Sequence, residues 1–143
     1  MAIKQIRAYL TFDGKAAKAI ALYERALDAK VERLTRFSDA PAAGQRTPDS
    51  HKDRIMHGVV RVGEEQIMVM DAPPGVEVPS ASNVQVALEL DDPDELLRRF
   101  DALATGGVVR LAPHEAFWGS KFGMLTDAFG IRWLLNAPLK KVG

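Results

Sequence analysis

Between Ile3 and Phe12 apolar and polar side chains alternate, with Ile6, Ala8, Leu10 and Phe12 on one face and Arg7, Tyr9 and Thr11 on the other. That two-residue period predicts a β-strand. After a turn at Asp13-Gly14 the period lengthens: Ala16, Ala19, Ile20, Tyr23, Ala26 and Leu27 recur at three- and four-residue spacing, which lines one face of a helix over Lys15–Ala29. Lys18, Glu24 and Arg25 fall on its outer side. A strand follows at Val31–Phe37, and Ser38–Asp53, rich in Pro, Gly, Ala, Ser and Asp without a period, reads as a loop. Ile55–Val62 and Gln66–Met70 then flank Gly63-Glu64-Glu65 as a hairpin. Pro73, Pro74, Gly75 and Pro79 mark a linker over residues 73–83.

Beyond the linker the series starts again. Val84–Leu90 alternates as a strand, and Asp92-Pro93-Asp94-Glu95 offers a helix N-cap, a proline at the first helical position and an acid three residues after the cap. Leu96, Leu97, Phe100 and Leu103 form the apolar stripe, and Gly106-Gly107 ends the helix. Val108–Ala112 is a strand, Pro113–Lys121 a connection in which His114 and Glu115 are placed as a solvated loop or a lid, and Phe122–Thr126 with Ile131–Asn136 a hairpin about Asp127-Ala128-Phe129-Gly130.

The two series superpose. An offset of 77 sets Ala19 on Leu96, Tyr23 on Phe100, Ala26 on Leu103 and Val31 on Val108, while an offset of 65 sets His57 on Phe122, Gly58 on Gly123, Val69 on Leu134 and Asp71 on Asn136. The first copy therefore carries twelve additional residues, which fit in the aperiodic loop. Each copy is βαβββ, and one helix protects only one face of its sheet. The expected fold is α+β: two βαβββ modules, residues 1–72 and 84–137, which side by side leave an open, curved sheet with helices outside and a ligand on the shared concave side.

Composition narrows the function classes. Nineteen basic and nineteen acidic residues cancel, so no excess charge favours nucleic acid or an anionic membrane. The absence of cysteine removes disulfides, thiolate catalysis and Cys-type zinc sites. No apolar run approaches the ~18 residues that span a bilayer, and a cytoplasmic location is expected. Neither a nucleophile elbow nor a Gly-rich phosphate loop occurs.

The opening Tyr9-Leu10-Thr11-Phe12-Asp13-Gly14, the Met56-His57-Gly58 strand, Met70-Asp71 and above all Phe117-Trp118-Gly119, Phe122-Gly123-Met124, Thr126-Asp127, Gly130 and Trp133-Leu134-Leu135-Asn136 resemble the PhnB-like branch of the vicinal oxygen chelate superfamily, which includes glyoxalase I, bleomycin-resistance proteins and extradiol dioxygenases. The resemblance implies two modules forming a half-barrel of curved sheet with helices outside, and a homodimer. It also implies metal-ligand positions on the first and last strand of each module, here Ala8, Gln85, Val69 and Leu134. Three of these side chains have no donor atom, and one glutamine cannot hold a hard cation alone, so no metal site and no cofactor are expected, although an atypical divalent site stays possible.

If Val69 and Leu134 face the concave side, alternation brings Asp71 and Asn136 there as well, and His57, Asp71, Gln85 and Glu89 could share a shallow cavity. His57, Asp71 and Glu89 are the candidate catalytic groups, the imidazole because it transfers protons near neutral pH. Gln85, Phe117, Trp118, Phe122 and Asn136 are candidate ligand contacts, with the aromatics suited equally to stacking on a ligand and to filling a core or dimer interface. Two functions fit: a protein acting on or binding a small oxygenated metabolite without the usual metal quartet, or a non-catalytic sequestering protein of bleomycin-resistance type.

Overall fold

The structure is a computed structural model that describes residues 2–39, 47–79 and 82–139. Residues 40–46 of the predicted loop, and 80 and 81 of the linker, lie outside the described part. The chain divides into two compact units, Met1–Pro79 and Ser80–Gly143. The first contains β1 (Tyr9–Phe12), α1 (Ala16–Leu27), β2 (Lys30–Arg36), β3 (Ile55–Val62) and β4 (Glu65–Asp71). The second contains β5 (Val86–Glu89), α2 (Pro93–Leu103), β6 (Val108–Ala116), β7 (Ser120–Thr126) and β8 (Arg132–Pro138).

Each unit is an open four-stranded mixed sheet with the same topology, β1-β4-β3-β2 in the first and β5-β8-β7-β6 in the second. The first strand runs parallel to the last, and the remaining pairs are antiparallel. The expected α+β fold with a βαβββ repeat is observed.

Packing on the helix side explains why the patterns repeat. Ala19, Ile20, Tyr23 and Ala26 of α1 are buried with Leu10, Phe12, Val60 and Val69 of its sheet. Leu96, Phe100 and Leu103 of α2 are buried with Leu125, Trp133 and Leu135. Each such aromatic or aliphatic group taken out of water stabilises by roughly 1.5–3 kcal/mol. Gly123 is small for a reason: a Cβ there would stand 2.9 Å from the Phe100 ring and 3.1 Å from Pro113.

Three expectations change. β1 begins at Tyr9 rather than Ile3, because Tyr9 pairs with Met68 and β4 has only three residues before Met68. A β1 that began at Ile3 would run past the start of β4 and leave residues 3–5 without a partner. Ile3 and Ile6 are consequently exposed. Secondly, β6 continues through Pro113 to Ala116, so His114 and Glu115 are strand residues and not a lid. The proline is tolerated because β6 is an edge strand, with register shifts on either side of Leu111.

The third change concerns the two hairpins. Gly58 stands opposite Val69, whereas Gly123 stands opposite Leu135. Between these matched pairs the second hairpin therefore holds one residue more than the first, and beyond its turn the matching offset is 66 instead of 65. A one-residue slip sends every side chain to the other face. Leu135, not Leu134, corresponds to Val69, and both are fully buried. Asn136 corresponds to Met70, and Asp71 to Ala137.

Candidate functional site

That slip decides which candidates can meet a ligand. Along β4, Ile67, Val69 and Asp71 are buried and alternate with half-buried Gln66, Met68 and Met70. Asp71 thus belongs to the helix side and is corrected as a catalytic candidate. It is 2% exposed, and both carboxylate oxygens are engaged: Oδ1 accepts from the Ala16 backbone N–H at 3.0 Å and Oδ2 from the Ile55 N–H at 2.9 Å. Ala16 opens α1, whose own N-cap residue, Lys15, supplies no capping hydrogen bond. A carboxylate from β4 does that work instead and favours the positive helix end. α2 caps itself through Asp92, which accepts from the Asp94 N–H at 2.9 Å.

On the far face of the first unit, opposite its helix, β3 presents His57 and β1 presents Tyr9. The Tyr9 hydroxyl and His57 Nδ1 are 2.7 Å apart. Burial raises the phenol pKa, so the group stays protonated and able to donate. A phenol that donates to Nδ1 leaves the ring proton on Nε2, directed away from Tyr9. Tyr9 is not among the sequence candidates, although its alternation with Leu10 already placed it on this face.

The second unit places five of the sequence candidates on or beside its far face. Glu89 on β5 stands opposite Asn136 on β8, which stands opposite Phe122 on β7. The Trp118 indole N–H donates to Asn136 Oδ1 at 3.3 Å, and Asn136 Nδ2 donates to Glu89 Oε2 at 3.0 Å. An indole can only donate and an ionised carboxylate only accept, so the amide orientation is fixed by its two neighbours. Trp118 meets Phe117 and Phe122 edge to face at 5.0 and 5.2 Å, and His114 meets Phe122 at 6.1 Å. Phe117 is 97% exposed and Trp118 51%.

Gln85 precedes β5, and its Oε1 accepts from Arg110 Nη2 at 2.6 Å. Burial, and then the charge of Arg132, lower the Arg110 guanidinium pKa.

The donor chemistry does not fit a resident divalent ion in either unit. Facing away from the helices, the first and last strands offer Tyr9, Thr11, Gln66, Met68 and Met70 in one unit and Ala87, Glu89, Arg132, Leu134 and Asn136 in the other. Thioethers and hydrocarbon are poor ligands for hard cations, and both polar atoms of the Asn136 amide are committed. Among the described residues no three His, Asp or Glu side chains gather at metal-binding range.

The Glyoxalase/Bleomycin resistance protein/Dioxygenase superfamily profile matches residues 5–135. The chain belongs to this superfamily. Within it, protein YjdN from Escherichia coli (strain K12) is 34% identical over 138 residues, covering 90% of this chain and 91% of YjdN. Protein PA1353 from Pseudomonas aeruginosa is 33% identical with a TM-score of 0.85, covering 96% of this chain and 100% of that one. The PhnB protein from Bacillus cereus, 20% identical with a TM-score of 0.76 and coverages of 94% and 99%, shares the fold. The faces opposite the helices carry a phenol–imidazole pair in one unit and an aromatic–amide–carboxylate row in the other.

Proposed function

We propose that this superfamily member binds a small, ring-bearing, oxygenated molecule against the far face of its second unit. The observation that carries the reading is the Trp118-Asn136-Glu89 hydrogen-bonded row. A half-exposed indole is locked beside a phenylalanine pair while a carboxylate is held in place two side chains away. Such a surface offers stacking area and a fixed polar anchor, the two elements of a small-ligand site.

The two tryptophans make the test direct. Trp133 is fully buried with its Nε1 donating to Asp127 Oδ2 at 2.9 Å, so a ligand on the far face should perturb Trp118 emission alone. Titration with millimolar aromatic alcohols, amines and acids is expected to change the fluorescence of the native protein. Trp118→Phe should abolish that response while the Trp133 signal remains. A response that survives in Trp118→Phe, or no response to any ring compound, would sink the reading.

The 2.7 Å Tyr9–His57 contact supports a second reading, in which the first unit's imidazole exchanges protons with a substrate carbonyl or the carbon beside it. Deuterium wash-in at carbons next to the carbonyl of small oxo acids, followed by NMR, is the measurement. His57→Gln is expected to slow it by about 10²–10⁴-fold, and equal wash-in with the native protein would exclude the imidazole as the base.

A further inference from the structure

We infer that the ligand of the second unit is cationic at one end, and that Glu89, with the Trp118 ring, receives an ammonium group carried close to the ligand's ring. This inference rests on the far-face binding reading given above and adds the chemical class. Asn136 donates to Glu89 Oε2, which orients the carboxylate and leaves Oε1 without a partner among the described residues. None of the ion pairs among the described residues involves Glu89.

The contrast with the first unit is informative. There Glu32 is matched twice, by Arg61 Nη2 at 3.3 Å and by Gln66 Nε2 at 2.6 Å. Among the described residues Glu89 has an amide partner and no cation. Arg132 shares this face but stands four residues from Asn136 along β8, a backbone separation of roughly 13 Å at the rise of a strand, and it makes no ion pair with Glu89 among the described residues. Lys121 alternates with Phe122 and so points to the other face.

A ring laid on Trp118 and Phe122 takes water away from the Glu89 carboxylate. Shielding an unpaired carboxylate is unfavourable, and a neutral hydroxyl returns only one hydrogen bond. An ammonium returns a charge-assisted hydrogen bond and, within reach of the indole face, a cation–π contact. The same geometry disfavours an anionic ligand, which would bring like charge to Glu89.

The test uses 2-phenylethylamine, 2-phenylethanol and phenylacetate as probes, with binding followed by calorimetry and Trp118 fluorescence. In the native protein the amine is expected to bind about tenfold more tightly than the alcohol, with phenylacetate the weakest. Glu89→Gln keeps an oxygen for Asn136 Nδ2 and should bring the amine and alcohol to within about twofold of each other. Equal binding of amine and alcohol by the native protein overturns the ammonium inference while leaving the ring-binding reading intact. A preference for the amine that persists in Glu89→Gln overturns the role of Glu89. Absence of binding by all three probes removes both readings together.

Discussion

Asp71→Ala is expected to lower the unfolding free energy by about 3 kcal/mol, because two buried backbone N–H groups lose their acceptor and each such loss costs about 1–3 kcal/mol. The donors are Ala16 N, at the start of α1, and Ile55 N, at the start of β3, so one carboxylate ties a helix and two strands together. Denaturant unfolding followed by circular dichroism reads the change as a lower midpoint at an unaltered slope. Asp71→Asn should fall between the native protein and Asp71→Ala: the amide keeps one acceptor and turns an N–H against the other donor. Asn136→Ala, on the opposite kind of surface, is expected to shift stability by no more than about 1 kcal/mol. An Asp71→Ala protein as stable as the native one would contradict the capping role and reopen Asp71 as a site residue.

That pair of substitutions also marks the limit of what the chain reveals on its own. Helix stripes such as Ala19-Tyr23-Ala26 and Leu96-Phe100-Leu103 were legible because burial on one face leaves a period, and their recurrence revealed the repeat. Asp92 was legible as a cap because capping is local. Asp71 was not, because its partners lie 55 and 16 residues away and no local pattern records a cap supplied from another strand. The pairing of Asp71 with Asn136 failed for a related reason: apolar matching tolerates a one-residue change in turn length, whereas the face on which a side chain emerges does not. His57, Glu89, Phe122 and Asn136 could be singled out along the chain because aromatic and polar residues inside strand patterns stand out, and Trp118 because it lies in the aromatic stretch before β7. The hydrogen bonds that join them, and the part played by Tyr9, depend on register across the sheet and had no signal along the chain.

The added residue in the second turn makes Asp127 the other position with a large expected effect. Its Oδ1 accepts from Phe129 N at 2.9 Å and Ile131 N at 3.0 Å, and its Oδ2 accepts from the Trp133 indole at 2.9 Å. Its backbone N–H donates to Ile131 O at 2.8 Å, and its carbonyl accepts from Gly130 N at 3.1 Å. The side chain is 3% exposed, so water cannot readily replace these bonds. Asp127→Ala is therefore expected to cost about 3–5 kcal/mol, the sum of unmade hydrogen bonds to a turn and to a fully buried indole. The loss should appear in the denaturation midpoint and in a shift of Trp133 emission, separable from Trp118 in a Trp118→Phe background. Asp127→Asn retains an acceptor for the turn but sets an amide N–H against the indole N–H, so it should recover the turn and not the Trp133 contact. The consequence reaches the far face of the second unit: the Asp127 turn sets the register in which β8 leaves it, and that register sends Trp133 to the core and Asn136 to Glu89. Asp127→Ala should accordingly weaken the Trp118 ligand response even under conditions where the protein remains folded. An undiminished response together with an undiminished midpoint would show that the β7–β8 pairing holds this register without the turn.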